Sequence, residues 1–169
     1  ERAIDSVKAQ SYRNWELCIV DDCSTKVEVR RYLEEIQDDR IKILLSENNK
    51  GISGASNEAV SLASGQFLAL LDNDDELSPD ALFEMYQAIK EQDVDVVYSD
   101  MDIIDTNNVH SAPIYKPDWS PELFTSQMYV GHLLCVKREL FDMVGGFQTE
   151  FNGSQDYDLL FRIAEKTDR

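Results

Sequence analysis

Residues 66–79, QFLALLDNDDELSP, decide how this chain is read. An apolar run of strand length, Gln66 to Leu71, ends in Asp72-Asn73-Asp74-Asp75-Glu76, and Ser78-Pro79 then supplies the cap and first-turn proline that open a helix. A buried strand that stops at carboxylates and is followed by a helix is the repeating unit of an α/β sheet, where ligands collect beyond the carboxyl ends of the strands. Asp72 and Asp74 lie two residues apart. At a strand end both can turn toward one hard cation, Mg2+ or Mn2+, and share it with phosphate oxygens. Taken alone, an Asp-x-Asp is equally well explained as a polar turn before a helix.

The same unit recurs on both sides. Trp15 to Val20 reads as a strand ending at Asp21-Asp22, with Ser24 as a cap for a helix from Lys26 to Gln37 that aligns Val29, Leu33 and Ile36. Ile41 to Leu45 is the next strand, Asn48-Asn49-Lys50-Gly51 is turn chemistry, and Ser53 to Ala63 is a helix of small residues that stops near Gly65. Downstream, a helix turns Leu82, Met85, Tyr86 and Ile89 inward and leads to a strand from Val94 to Tyr98. The rhythm then breaks. Asp105 to Pro121, with an Asn107-Asn108 turn and Pro113, Pro117 and Pro121, reads as an irregular functional loop. A strand from His132 to Val136, a helix from Arg138 to Val144, a Gly145-Gly146 stop and a helix from Gln155 to Lys166 finish the chain. The alternation predicts a mostly parallel central sheet flanked by helices on both faces.

Composition narrows the function classes. At 169 residues with 43% hydrophobic content, the chain fits one domain spanning residues 1–169. It begins in mid-helix without Met, so a truncated N-terminus lacking the first strand is expected, and a truncated C-terminus with it. No run approaches the length of a membrane span, and the start lacks the layout of a signal peptide. Cys18, Cys23 and Cys135 match neither a disulfide framework nor a zinc site and fit a reducing compartment, the cytoplasm, with the inner membrane face included for a full-length protein. Sixteen basic against thirty-three acidic residues, net −17, argue against nucleic acid or an anionic membrane as the main partner. An EF-hand loop would need glycine where Leu77 stands, and a phosphatase-type Asp-x-Asp would need a hydroxyl residue where Glu76 stands.

Five motifs in order carry a resemblance. Val20-Asp21-Asp22-Cys23-Ser24-Thr25, Asn48-Asn49-Lys50-Gly51 with Ala55-Ser56-Asn57, Leu70 to Glu76, Val144-Gly145-Gly146-Phe147, and Gly153-Ser154-Gln155-Asp156-Tyr157-Asp158-Leu159 together resemble the family 2 glycosyltransferases of GT-A fold. Lys116-Pro117-Asp118-Trp119-Ser120-Pro121-Glu122, with Gly131-His132, is similar to bacterial enzymes of O-antigen and surface polysaccharide assembly. Ser56 stands where many such enzymes have arginine, and Gln155 where they have glutamate.

The resemblance implies an inverting transfer of sugar from a nucleotide diphosphate donor to a saccharide or lipid-linked saccharide acceptor. It implies nucleotide contacts from Asp21, Asp22, Gly51, Asn57 and Asp72, a divalent cation on Asp72 and Asp74, and Asp156 as the base that takes the acceptor proton. Asp158, roughly 200° round the helix from Asp156, is expected to tolerate loss of its charge unless it holds the helix start. Trp119 either stacks on a sugar face or pins the loop. His132 reads first as a structural hydrogen-bonding residue and second, with Gln155, as an acceptor contact. Two alternatives stay open: a sugar-nucleotide-binding domain without turnover, and a Mg2+-dependent receiver-like signalling domain, for which Lys137 follows the late strand.

Overall fold

The apolar runs become strands and the stretches of helical period become helices. In the computed structural model, which describes residues 1–168, the order is α1 (Arg2–Lys8), β1 (Leu17–Asp21), α2 (Val27–Glu34), β2 (Ile41–Leu45), α3 (Gly51–Leu62), β3 (Phe67–Leu70) and α4 (Ala81–Gln92). Then follow β4 (Val96–Tyr98), β5 (Met101–Ile104), β6 (His110–Ile114), α5 (Pro121–Ser126), β7 (Leu134–Lys137), α6 (Arg138–Met143), a 3-10 turn (Thr149–Phe151) and α7 (Gln155–Ala164). The α/β class expected from the sequence holds. The chain gathers into two compact units, Glu1–Tyr12 with Ala69–Lys137, and Arg13–Leu68 with Arg138–Asp168. No helix among the described residues is long and apolar enough to cross a membrane.

In the unit of Arg13–Leu68 and Arg138–Asp168, β1 and β2 pair in parallel from Leu17 opposite Ile41 to Asp21 opposite Leu45, and α3 packs on β1. Leu159, Leu160 and Ile163 of α7 are buried, as are Leu140 and Phe141 of α6, and Phe141 meets the Phe147 ring edge-on at 5.4 Å. Each such burial stabilises by about 1.5–3 kcal/mol. Glu16, just before β1, is the polar tie. Its carboxylate accepts from the Ser64 and Gly65 N–H groups and the Ser64 hydroxyl, and pairs with Lys42 at 2.6 Å.

In the other unit, β7 lies antiparallel to β4, Val96 opposite Val136 and Tyr98 opposite Leu134. The sheet order is β3-β7-β4, the β3 share of this unit being Ala69 and Leu70. The run Leu134 to Val136 is buried throughout and forms the heart of the core. Helix α4 starts later than the Ser78-Pro79 signal predicts. The Ser78 carbonyl accepts from Gln10 Nε2 at 2.7 Å and the Pro79 carbonyl from the Ser11 N–H at 2.8 Å, which holds both residues outside the helix. The fully buried Gln10 then does the capping, its Oε1 accepting from the Leu82 N–H at 2.9 Å.

The stretch read as an irregular loop holds a hairpin. β5 and β6 pair antiparallel around the predicted turn, where Asp105 Oδ1 accepts from the N–H groups of Asn107 and Val109. Nearly every residue of the two strands is exposed, so no apolar alternation marks them, and Pro113 is tolerated because β6 has a free edge. Further on, Ser120 caps α5 by accepting from the Leu123 N–H, with Pro121 in its first turn.

The tie at Glu16 makes the first unit described acid-sensitive. Burial would raise its carboxyl, but Lys42 and the Ser64 and Gly65 donors outweigh it and hold the pKa at about 2, below the ordinary 4.5. A depressed carboxyl stabilises fully above its unfolded value and loses that contribution as pH falls through its folded value. Urea unfolding between pH 5 and pH 2 is therefore expected to show stability draining from about pH 4.5 downward, with a shallower decline in Glu16→Gln.

Candidate active site

Asp21 closes β1. Its carboxylate Oδ2 accepts from the Ser24 N–H at 3.2 Å and from Arg30 Nε of α2 at 3.1 Å, and only 2% of the side chain is exposed. Burial tends to raise its pKa, but the bonds from Ser24 and Arg30 prevail and hold it below the ordinary value. Arg30 also donates to the Ser46 carbonyl at 2.6 Å, the Ser46 hydroxyl to Glu58 at 2.9 Å, and Lys50 pairs with Glu58. Asp22 is half-buried, and its Oδ1 accepts from the Lys50 N–H at 2.7 Å, which draws the Asn49-Lys50-Gly51 turn against the end of β1. Ser24, expected as a cap, instead gives its N–H to Asp21, and α2 begins at Val27.

Gly51 and Asn57, expected at the nucleotide, both meet the late loop. Gly51 opens α3 at φ +71°, and a Cβ there would lie 2.9 Å from the Asn152 amide nitrogen. Asn152 Oδ1 in turn accepts from the Ser53 N–H at 3.2 Å, capping α3 from a distant loop. Asn57 Nδ2 donates to the Phe147 carbonyl at 2.8 Å, and its Oδ1 accepts from the Phe147 N–H at 2.9 Å. The Ser53 hydroxyl donates to the Gln148 carbonyl at 3.1 Å. A Cβ on Gly146 would meet Asn57 Oδ1 at 2.7 Å, so the glycine is what lets the clamp close.

The clamped loop leads to Asp156, in the first turn of α7. Gln155, expected at the acceptor, is buried and bonded within the protein: its Oε1 accepts from the Gly153 N–H at 2.7 Å, and its Nε2 donates to Asp156 Oδ2 at 3.3 Å. Asp158 is no neutral neighbour. It accepts from Arg162 Nε at 3.0 Å, and Arg162 also donates to the Val144 carbonyl at 2.7 Å, so its charge holds the helix to the loop after α6.

In the other unit, the chain beyond β3 bends so that the Asp75 N–H meets the Asp72 carbonyl at 3.3 Å. Ligand atoms of Asp72, Asp75 and His132 lie within 4.8 Å of one another, whereas Asp74 lines a cleft of about 530 Å³ with Arg2, Glu76 and Asp105. His132 Nε2 is 3.4 Å from Asp72 Oδ2, while its Nδ1 is buried without a protein partner. Burial pushes the Asp75 carboxyl above its ordinary value, His132 opposes this, and the charges of Asp72 and Asp74 reinforce it.

The model of glycosyl transferase family 2 matches residues 1–148. The chain belongs to this family. Among its relatives, the O-antigen biosynthesis protein RfbC of Myxococcus xanthus is 39% identical over 165 residues, covering 96% of this chain and 13% of that protein. The crystal structure of S. aureus TarS 1-349 in complex with UDP-GlcNAc superposes with a TM-score of 0.79 at 20% identity, over 99% of this chain and 50% of that one. The mannosyltransferase PcManGT of Pyrobaculum calidifontis, in complex with GDP-Man and Mn2+, gives 0.69 at 23% identity, over 95% and 46%. The shared fold is the GT-A fold expected from the motifs.

For this family 2 chain, Trp119 is held by neighbouring aromatic rings. Its ring packs on Phe124 at 4.9 Å and near Tyr129 at 6.4 Å, yet the residue stays 42% exposed. Sequence reasoning missed Arg30, Asp75 and Asn152. Arg30 sits on the polar side of a helix, Asp75 has the wrong spacing for an Asp-x-Asp, and Asn152 acts across 99 residues of chain.

If Asn57 is a clamp rather than a ligand, Asn57→Ala strands the buried Phe147 N–H and carbonyl and costs about 1–3 kcal/mol of stability in urea unfolding. Asn57→Asp keeps the acceptor but turns a carboxylate oxygen toward the Phe147 carbonyl, and should lose at least as much. Equal stability of the alanine variant and wild type would remove the clamp from the account.

Proposed function

We propose that this domain transfers a sugar from a nucleotide diphosphate donor to an acceptor hydroxyl, with inversion at the anomeric carbon, in the assembly of a bacterial surface polysaccharide or related glycoconjugate. Family membership supports the class, and the free cysteines Cys18, Cys23 and Cys135 support a reducing, cytoplasmic setting. The observation that carries the reading is the convergence of Asp72, Asp75 and His132 at the end of β3. Two carboxylates and an imidazole, close enough to share one ion, suit Mn2+, and an ion there relieves the crowding of negative charge around Asp75. The pair assigned from spacing, Asp72 with Asp74, thus becomes Asp72 with Asp75 and His132. Bound at these residues, a divalent cation would supply positive charge for the departing diphosphate.

The remaining roles belong to the chain itself. Asp22, half-buried at the end of β1, is the better candidate for the nucleoside than Asp21, which Arg30 and Ser24 close off. Asp156 removes the proton from the acceptor hydroxyl as that oxygen attacks. Such general-base help contributes about 10²- to 10⁴-fold in rate. Trp119, with its exposed face, is assigned to the acceptor sugar, a saccharide or lipid-linked saccharide.

The test is a thermal-shift screen of UDP and GDP sugars with and without Mn2+, since a donor that binds only the folded state raises its melting temperature. A shift that requires Mn2+ and disappears in Asp72→Asn and in His132→Ala is expected. With the donor so identified, Asp156→Asn should keep the shift while transfer falls about 10²- to 10⁴-fold. A metal-independent shift contradicts the cation assignment, and near-normal transfer in Asp156→Asn contradicts the base.

A further inference from the structure

Gln155 opens α7 buried, only 8% exposed, and its amide works in two directions. Oε1 accepts from the Gly153 N–H at 2.7 Å while Nε2 donates to Asp156 Oδ2 at 3.3 Å. Only an amide does both. A carboxylate in its place would still accept from Gly153 but would offer Asp156 no hydrogen and would set a second negative charge beside it; a methionine of similar size does neither. The turn that allows this is specific as well, since Gly153 lies at φ +92° with nothing within 4 Å of a would-be Cβ.

We propose that Gln155 is a positioning residue that orients the Asp156 carboxylate and stabilises its ionised form through the Nε2–H donor. The proposal deepens the assignment of Asp156 as base and rests on it for its catalytic meaning. A carboxylate that accepts a fixed N–H bond keeps one side-chain orientation and gives up its proton more readily than one beside a like charge.

Other ionisable groups surround α7. Arg138, Glu139 and Asp142 belong to α6, Arg138 being paired with Asp142 at 3.5 Å, and Glu150 belongs to the 3-10 turn. Tyr157, the Asp158–Arg162 pair and Glu165 lie on α7 or at its end. All of them are common to wild type and variants, so a difference between the proteins reports residue 155.

The experiment is a carbon-detected NMR titration of the aspartate carboxyls in wild type, Gln155→Glu and Gln155→Met, with the Asp156 signal identified by its loss in Asp156→Asn. In Gln155→Glu the Asp156 titration should move up by about one unit or more, and in Gln155→Met by less, because only the donor is lost. If Gln155→Glu fails to fold, Gln155→Met alone decides. An Asp156 titration unchanged in the folded variants overturns the proposal. Calorimetry with UDP and Mn2+ as probes should give affinities within about twofold of wild type, a difference of under 0.5 kcal/mol; loss of that binding would mark Gln155 as a general structural residue and overturn the proposal too. Turnover separates the two claims. If the titration and the acid limb of kcat move together, both stand; if the titration moves and the limb does not, Gln155 still positions Asp156 but Asp156 is not the base.

Discussion

The two hydrogen bonds between the Asn57 amide and the Phe147 backbone, 2.8 and 2.9 Å long, are what the late motif depends on. They join α3 to a loop 90 residues away, and the neighbouring ties follow from them. With α3 and the loop in register, the Ser53 hydroxyl reaches the Gln148 carbonyl and Asn152 reaches the first turn of α3. The glycines are consequences of the same closeness: Gly146 leaves room for the Asn57 oxygen, and Gly51 for the Asn152 amide. A half-buried amide with both groups bonded to the buried Phe147 is worth holding, because the Phe147 backbone groups left alone would carry their desolvation cost. The loop so fixed hands on to Gly153, Gln155 and Asp156, so a packing contact decides where a carboxylate stands.

Charge organises the strand ends differently. In one unit the carboxylates are satisfied by the protein: Asp21 by Arg30 and Ser24, Asp22 by the Lys50 N–H, Glu58 by Lys50 and Ser46. In the other, Asp72 and Asp75 crowd together with a single imidazole, and Asp75 is driven toward its protonated form by burial and by its neighbours. In that cluster the basic partner is His132, and the cation proposed above would supply further positive charge. The acids at the ends of β1 and β3 thus stand in different surroundings.

Much of this was legible in the residues. Ile41 to Leu45 forms a strand at the bounds its apolar run suggests, and the acid-ended run at Phe67–Leu70 places Asp72 at a strand terminus as expected. What escaped did so for physical reasons. The β5–β6 hairpin is exposed on both faces, so burial wrote no alternation into it. The caps on α3 and α4 come from Asn152 and Gln10, residues remote in sequence, while Ser78, the local candidate for α4, is held outside its helix by other bonds, as Ser24 is outside α2. Asp75 and His132 join Asp72 through a backbone bend and the turn that precedes β7, and neither leaves a mark in spacing. Helix α5 was likewise not expected, its first residue, Pro121, having been read as the end of the loop.

The central claim is that the acid cluster at the end of β3 holds the cation of a nucleotide-sugar transfer. Anomalous diffraction from crystals soaked with Mn2+ and UDP tests it most directly. The account predicts one strong manganese peak at bonding distance from Asp72, Asp75 or both and from His132, with the diphosphate completing its coordination. A manganese peak bound to UDP but away from all three side chains would contradict it.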